Sequence, residues 1–214
     1  MSYLKLKDVY KRNGVVGICD KIVIKGGGLL GIKLHIETLL CCNLYDKHSS
    51  LYSQIDFREL SYNDFLRQKD VNPEWFTSSK LDDMYAAFNI EGNKAYGYFK
   101  GDLIVCYGWI SLKYLRQDKL LLLPEDGYLW DDYTHHEFRG NGYHTELVKF
   151  RCSQLIKYGK KRALSITARS NNASRSGFLK TGFIPKVNFL NYKFGTRPFK
   201  STLNYNGERL VIFD

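Results

Sequence analysis

Apolar and polar positions change their spacing several times along this chain, and each change marks an element. From Ile55 to Leu60 they alternate as in a half-buried strand, and Ser61 then stands where its side chain can cap a helix with Asp64 at the third position. Asn72-Pro73-Glu74 predicts the opening of a second helix, with Asn72 as N-cap and Pro73 at the first helical position, continuing towards Phe88 before Gly92. Ala95–Phe99, the turn Lys100-Gly101-Asp102 and Leu103–Ile110 read as a hairpin whose second strand is apolar on both faces and therefore central.

Tyr128–Thr134 predicts another strand and His135–Gly142 a loop. Gly142–Tyr158 predicts a helix that Gly159 can terminate. Its polar positions Glu146, Lys149, Ser153, Lys157 and Lys160 follow steps of three and four, which leaves much of the circumference for burial against a sheet. Ala163–Ala168 is a further strand, Ser174–Thr181 a short helix ended by Gly182, and Val187–Phe194 and Glu208–Phe213 two closing strands. The order is mixed α/β with an antiparallel start. Residues 1–50 differ, with a basic start, a break or hinge at Gly26-Gly27-Gly28 and an apolar stretch ending at Cys41-Cys42. They read as an N-terminal extension to a main domain over 51–214.

Composition narrows the class. A chain of 214 residues, 44% hydrophobic and 25% charged, is long enough for one well-buried core plus an appendage. The net charge of +10 favours a polyanionic partner. The basic residues are spread out, without a Lys/Arg block or a finger-type Cys/His array, so a phosphorylated small molecule outranks nucleic acid. Five Cys, an odd number without Cys-x-x-Cys spacing, fit a reducing compartment. Lys33, His35 and Glu37 interrupt the apolar run from Leu29 to Cys42, so no membrane span is expected, and the N-terminus lacks the apolar segment that a signal peptide needs. A cytoplasmic location follows, and whether the chain forms a homodimer stays open.

The strand Tyr128–Thr134 leads through Arg139-Gly140-Asn141-Gly142 into the long helix. That order suits a pyrophosphate: glycines let the backbone approach an anion, the helix start presents unpaired N–H groups, and Arg139 adds positive charge. Glu137-Phe138-Arg139-Gly140-Asn141-Gly142 resembles the acetyl-CoA pyrophosphate loop of the GNAT superfamily of N-acetyltransferases. Asn171, Ser174 and Gly182-Phe183 stand at the spacing of that family's second signature. The resemblance extends more loosely over residues 54–195.

The resemblance implies a GNAT-type fold, a splayed central sheet flanked by helices, in which the strands 128–134 and 163–168 diverge around the pantetheine arm. It implies acetyl-CoA as acyl donor, held by Trp130, Tyr133, Thr134, Arg139, Gly140, Asn141, Gly142, Tyr143, Asn171, Ser174 and Phe178, with a backbone N–H of the strand polarising the thioester carbonyl. The acceptor is then a primary amine, for which the aromatic content and the positive charge suggest an amino sugar or its nucleotide conjugate, while a protein N-terminus or a lysine stays open. Asp131 and Asp132 are the candidate bases, since neighbouring strand residues face opposite sides and one must point towards the cleft. Which one is open, as are two alternatives: both pair with nearby Lys or Arg, or a water chain takes the proton.

Three positions depart from the family pattern. Glu137 replaces a Gln or Arg, His144 replaces a small residue, and Phe178 occupies the place of a Tyr that protonates the leaving thiolate. The Glu137 and Phe178 departures motivate an alternative, a non-catalytic module that binds CoA or another polyanion as a sensor or scaffold. His135 and His136 lie beside Asp131 and Asp132 without a spaced ligand set, so they read as a solvent-facing loop and no metal is expected.

Overall fold

Ser61 caps the first named helix as its position requires: its side chain accepts from the Asp64 N–H while the Asp64 carboxylate accepts from the Ser61 N–H. Burial would push the Asp64 carboxyl up, but Arg58 and Ser61 outweigh it and hold the group at about 2. Ser61→Ala is therefore expected to cost about 1 kcal/mol, read as a lower urea midpoint at unchanged slope.

The fold is a computed structural model that describes residues 15, 18–20, 22–27, 29, 32–45, 53, 55–115, 120–194, 200–205 and 208–213. The helices are α1 (Tyr62–Val71), α2 (Ser78–Phe88), α3 (Tyr143–Lys157) and α4 (Asn172–Lys180). The strands are β1 (Ile32–Asn43), β2 (Arg58–Leu60), β3 (Asn93–Lys100), β4 (Leu103–Ser111), β5 (Tyr114–Leu115), β6 (Leu120–Leu121), β7 (Asp126–Thr134), β8 (Arg162–Ala168), β9 (Ile184–Phe194), β10 (Lys200–Tyr205) and β11 (Glu208–Phe213). The architecture is mixed α/β, as the sequence predicts. Among the described residues no helix is long and apolar enough to cross a membrane.

Two compact units divide the chain, one from residues 1–41, 166–179 and 183–214, the other from 42–165 and 180–182. In the second unit β2, β3, β4 and β7 pair antiparallel in that order, and β7 pairs parallel with β8 from Asp126↔Arg162 to Leu129↔Ser165. Strand β4 is buried on both faces. Its Tyr107 and Trp109 pack with Phe65 and Phe76, from α1 and the turn after it, in a core that also takes in Leu81 and Met84 of α2. On the other face Gly108 meets Arg151 of α3, and Gly127 of β7 lies where a Cβ would strike Leu155 at 2.3 Å. Gly159 ends α3 with φ +74°.

In the first unit β1 pairs antiparallel with β9, β9 with β10, and β10 with β11. A buried Asp20 receives Arg169 at 3.2 Å. The Asn171 side chain accepts from the Ser174 N–H at 3.2 Å and so caps α4, which starts at Asn172 rather than Ser174.

Several boundaries differ from the sequence reading. Asn72 closes α1 instead of opening the next helix: its N–H bonds the Gln68 carbonyl, and its own carbonyl takes the N–H groups of Trp75 and Phe76. That turn buries Phe76 completely, and Thr77 supplies the N-cap that starts α2 at Ser78. The alternation from Ile55 becomes strand only at Arg58, where register with Gly97 begins. Gly26 and Gly27 lie in helical backbone, not in a break, while Gly28 lies outside the described residues. Strand β10 was not expected, because its polar residues carry no alternating apolar signal; β9 and β11 on either side supply its partners.

Candidate active site

Strand β7 carries one residue more than its partner can match. Tyr107 pairs with Tyr133 and Trp109 with Trp130, so Gly108 alone opposes both Asp131 and Asp132. This is a β-bulge, and Asp131 within it has φ +50°. Asp is one of the few non-glycine residues that tolerate the left-handed region, because its short polar side chain finds local partners. The bulge separates the two carboxylates, sending them into different surroundings.

Asp132 faces α3. Arg151 is buried and donates from Nη2 to Asp132 Oδ1, from Nη1 to the Trp109 carbonyl at 2.9 Å, and from Nε to the Leu147 carbonyl at 3.4 Å. His144 Nε2 lies 3.2 Å from Asp132 Oδ2. Burial alone would raise the Asp132 carboxyl, but Arg151 and His144 win and hold it below its ordinary value. Gly108 makes the space: a Cβ there would lie 2.5 Å from both Arg151 Nη1 and Asp132 Oδ1. A carboxylate so held is a weak proton acceptor.

Asp131 faces α2. Lys80 Nζ donates to its two oxygens at 2.8 and 3.0 Å, and both side chains are partly exposed, 23% for Lys80 and 27% for Asp131. Behind them Trp75 stacks on Tyr133 at 4.6 Å, and Tyr133 stacks on Tyr107 at 5.3 Å. Asn72 donates to the Tyr133 hydroxyl at 2.8 Å and the Trp75 indole to the Tyr107 hydroxyl at 3.2 Å. Burial, reinforced by the Asp131 carboxylate, pushes the Tyr107 hydroxyl well up, so it stays protonated. The aromatic wall is thereby fixed beside the more accessible carboxylate.

Downstream, Arg139 Nε donates to the Thr134 carbonyl at 3.0 Å, tying the loop to the end of β7. Gly140 and Gly142 have φ +84° and +83°, with nothing among the described residues within 4 Å of a Cβ built on either. Asn141 Nδ2 bonds the Phe138 carbonyl at 3.3 Å. Gly142 is the N-cap of α3 and has no side chain to cap it, and the ring of Tyr143 stacks on Tyr98 at 5.7 Å. The loop thus offers an exposed, glycine-lined backbone, a guanidinium and a helix start without a side-chain cap, which is a donor set that fits a pyrophosphate.

The structure thus brings Trp130, Asp131, Asp132, Tyr133, Thr134 and the loop 139–143 together in one unit. Asn171, Ser174 and Phe178 lie in the other, where Phe178 is fully buried edge-on to Phe183 at 5.0 Å. Trp130 stacks on Trp109 at 5.2 Å with its indole N–H buried and, among the described residues, unpartnered. His135 is buried, not solvent-facing as expected, because its N–H bonds the Val105 carbonyl at 2.8 Å and draws it against β4; His136 remains exposed. Sequence reasoning missed Arg151, Lys80, Trp75 and Gly108. Two signals were present: a lone glycine in an otherwise apolar strand, and an arginine on the buried side of α3.

The pattern of the acetyltransferase (GNAT) family matches residues 57–183. No curated protein matches the chain. Among solved structures, it is similar to an acetyltransferase from the GNAT family from Colwellia psychrerythraea, at 15% identity and TM-score 0.56, covering 76% of this chain and 57% of that one. A putative acetyltransferase from the GNAT family from Novosphingobium aromaticivorans matches at 12% identity and TM-score 0.52, covering 75% and 65%. A functionally unknown conserved protein from Staphylococcus epidermidis matches at 12% and 0.54, covering 81% and 66%. The chain thus covers less than two thirds of the length of each of these. With the family pattern spanning more than half of its residues, and a glycine loop feeding an uncapped helix beside a bulged strand, the chain belongs to the GNAT family of acetyltransferases.

Proposed function

We propose that the chain transfers acetyl from acetyl-CoA to a primary amine of a small or medium acceptor, such as an amino sugar or its nucleotide conjugate. The observation that carries this is the loop from Arg139 to Gly142, whose open glycine backbone at positive φ leads straight into α3. Acetyl-CoA supplies an acyl group already activated as a thioester. Arg139 and the loop N–H groups hold its pyrophosphate, and the bulged stretch Trp130–Thr134 lines the place of the acyl end. The net charge of +10 draws phosphorylated molecules towards the chain.

Asp131 is the better base of the two. Its partner Lys80 is partly exposed and can move aside, whereas Asp132 is locked to a buried arginine. Asp132 then acts as a positioning residue that shapes the bulge. Asp131→Asn is expected to lower kcat about 10²-fold and to displace the acidic limb of the pH profile, measured as CoA thiol release with a panel of amines. Normal turnover with an unmoved limb in Asp131→Asn removes Asp131 as base.

A second reading has a specific observation behind it: both carboxylates are ion-paired, to Lys80 and to Arg151, which suits a binding module without catalysis. The same panel decides. Turnover of any amine eliminates the binding module, and tight acetyl-CoA binding without turnover establishes it. A cytoplasmic location is part of the first proposal, and fractionation tests it.

A further inference from the structure

We propose that Lys80 is itself an acetyl acceptor, so that the chain modifies its own α2 at this residue. The proposal rests on the acetyl-CoA reading above and adds a modification site to it. Lys80 is the third residue of α2, and its backbone is fixed because its N–H bonds the Thr77 side chain at 3.3 Å. From there the side chain crosses to the bulge, placing a primary amine 2.8 and 3.0 Å from the oxygens of Asp131 and 5.8 Å from the centre of the Trp75 ring. A carboxylate and an aromatic face are the two groups that recognise an ammonium. Here the chain's own lysine occupies that place.

The other described lysines with ion pairs point elsewhere. Lys94 meets Glu59, Lys113 meets Glu91 and Lys149 meets Glu146. Lys80 alone among these reaches the carboxylate proposed as base. The step balances without a further reactant. One proton leaves the Nζ ammonium through Asp131 to solvent, the Nζ lone pair forms the C–N bond to the acetyl carbonyl of a CoA thioester, the C–S bond breaks, and a second proton leaves the acylated nitrogen to solvent. The C–S electron pair departs on sulfur, which takes a proton from solvent. The amide left on Lys80 carries no charge, so the ion pair with Asp131 is lost and the carboxylate is opened to an external amine.

The test is a time course of the full chain with acetyl-CoA, mapped by peptide mass spectrometry at each lysine. Acetyl-CoA binding by calorimetry and CoA release with external amines are followed in parallel. Lys80 should be acetylated on the order of ten-fold faster than the median of the other lysines, because a held amine has a raised effective concentration. That advantage should vanish in urea and fall in Asp131→Asn. Acetylation of Lys80 no faster than of the other lysines, in a chain that binds acetyl-CoA, overturns this inference and leaves the proposed function intact. Failure to bind acetyl-CoA overturns both.

Discussion

Arg151→Ala is expected to destabilise the chain by about 3–5 kcal/mol, because it leaves Asp132 as a buried carboxylate without its cation. Arg151 is fully buried, and its guanidinium also serves the Leu147, Trp109 and Trp130 carbonyls, so four groups lose a partner in one substitution. The pH dependence identifies the cause. In the wild type the Asp132 carboxyl is held below its ordinary value, so its contribution is present above the unfolded carboxylate range and is lost as pH falls through the folded value. Without Arg151 the burial that pushes the group up is less opposed, so the variant's deficit should shrink as pH falls and the carboxyl protonates. Urea denaturation of both proteins between neutral and acidic pH measures this. Arg151→Met combined with Asp132→Asn should recover much of the loss, since removing both charges is far cheaper than stranding one. A deficit that is flat with pH and unrescued by the double change would mean that lost packing, not stranded charge, explains the cost.

Gly142→Val should weaken acetyl-CoA binding about 10²-fold while leaving the fold in place. The backbone at Gly142 has φ +83°, where a β-branched residue is strained by roughly 1–2 kcal/mol, yet none of the described residues stands within 4 Å of the added Cβ. The fold therefore tolerates the change at modest cost. Binding does not, because the side chain projects into the open space over the loop and a shifted backbone withdraws N–H groups from the pyrophosphate; each such charge-assisted bond contributes about 1.5–3 kcal/mol. Gly140→Val, at φ +84°, should behave alike. Calorimetric titration with acetyl-CoA, alongside circular dichroism, separates binding from folding. Unchanged affinity in both variants would remove the loop from the site.

Local chemistry made much of this protein legible from its sequence. The Ser61 cap, the positive-φ glycines at 101, 140, 142, 159 and 182, the doubly buried strand β4 and the long helix α3 all rest on neighbours within a few residues. The glycine loop, read with the downstream Asn171 and Gly182-Phe183 spacing, was enough to suggest the family that the comparison then showed. Tertiary structure decided what depends on residues far apart in the chain. Asn72-Pro73 carries a sound helix-start signal, yet the need to bury Phe76 moved that start to Ser78. Asp131 and Asp132 are equivalent by sequence. Only the register of β7 against β4, which sets two residues opposite Gly108, gives one a buried arginine from α3 and the other an accessible lysine from α2. Propensity and capping act over one turn, and so they can be read from the chain. A carboxylate's partner and its proton affinity are set by which strands pair and which helix faces meet, and those choices exist only in the folded molecule.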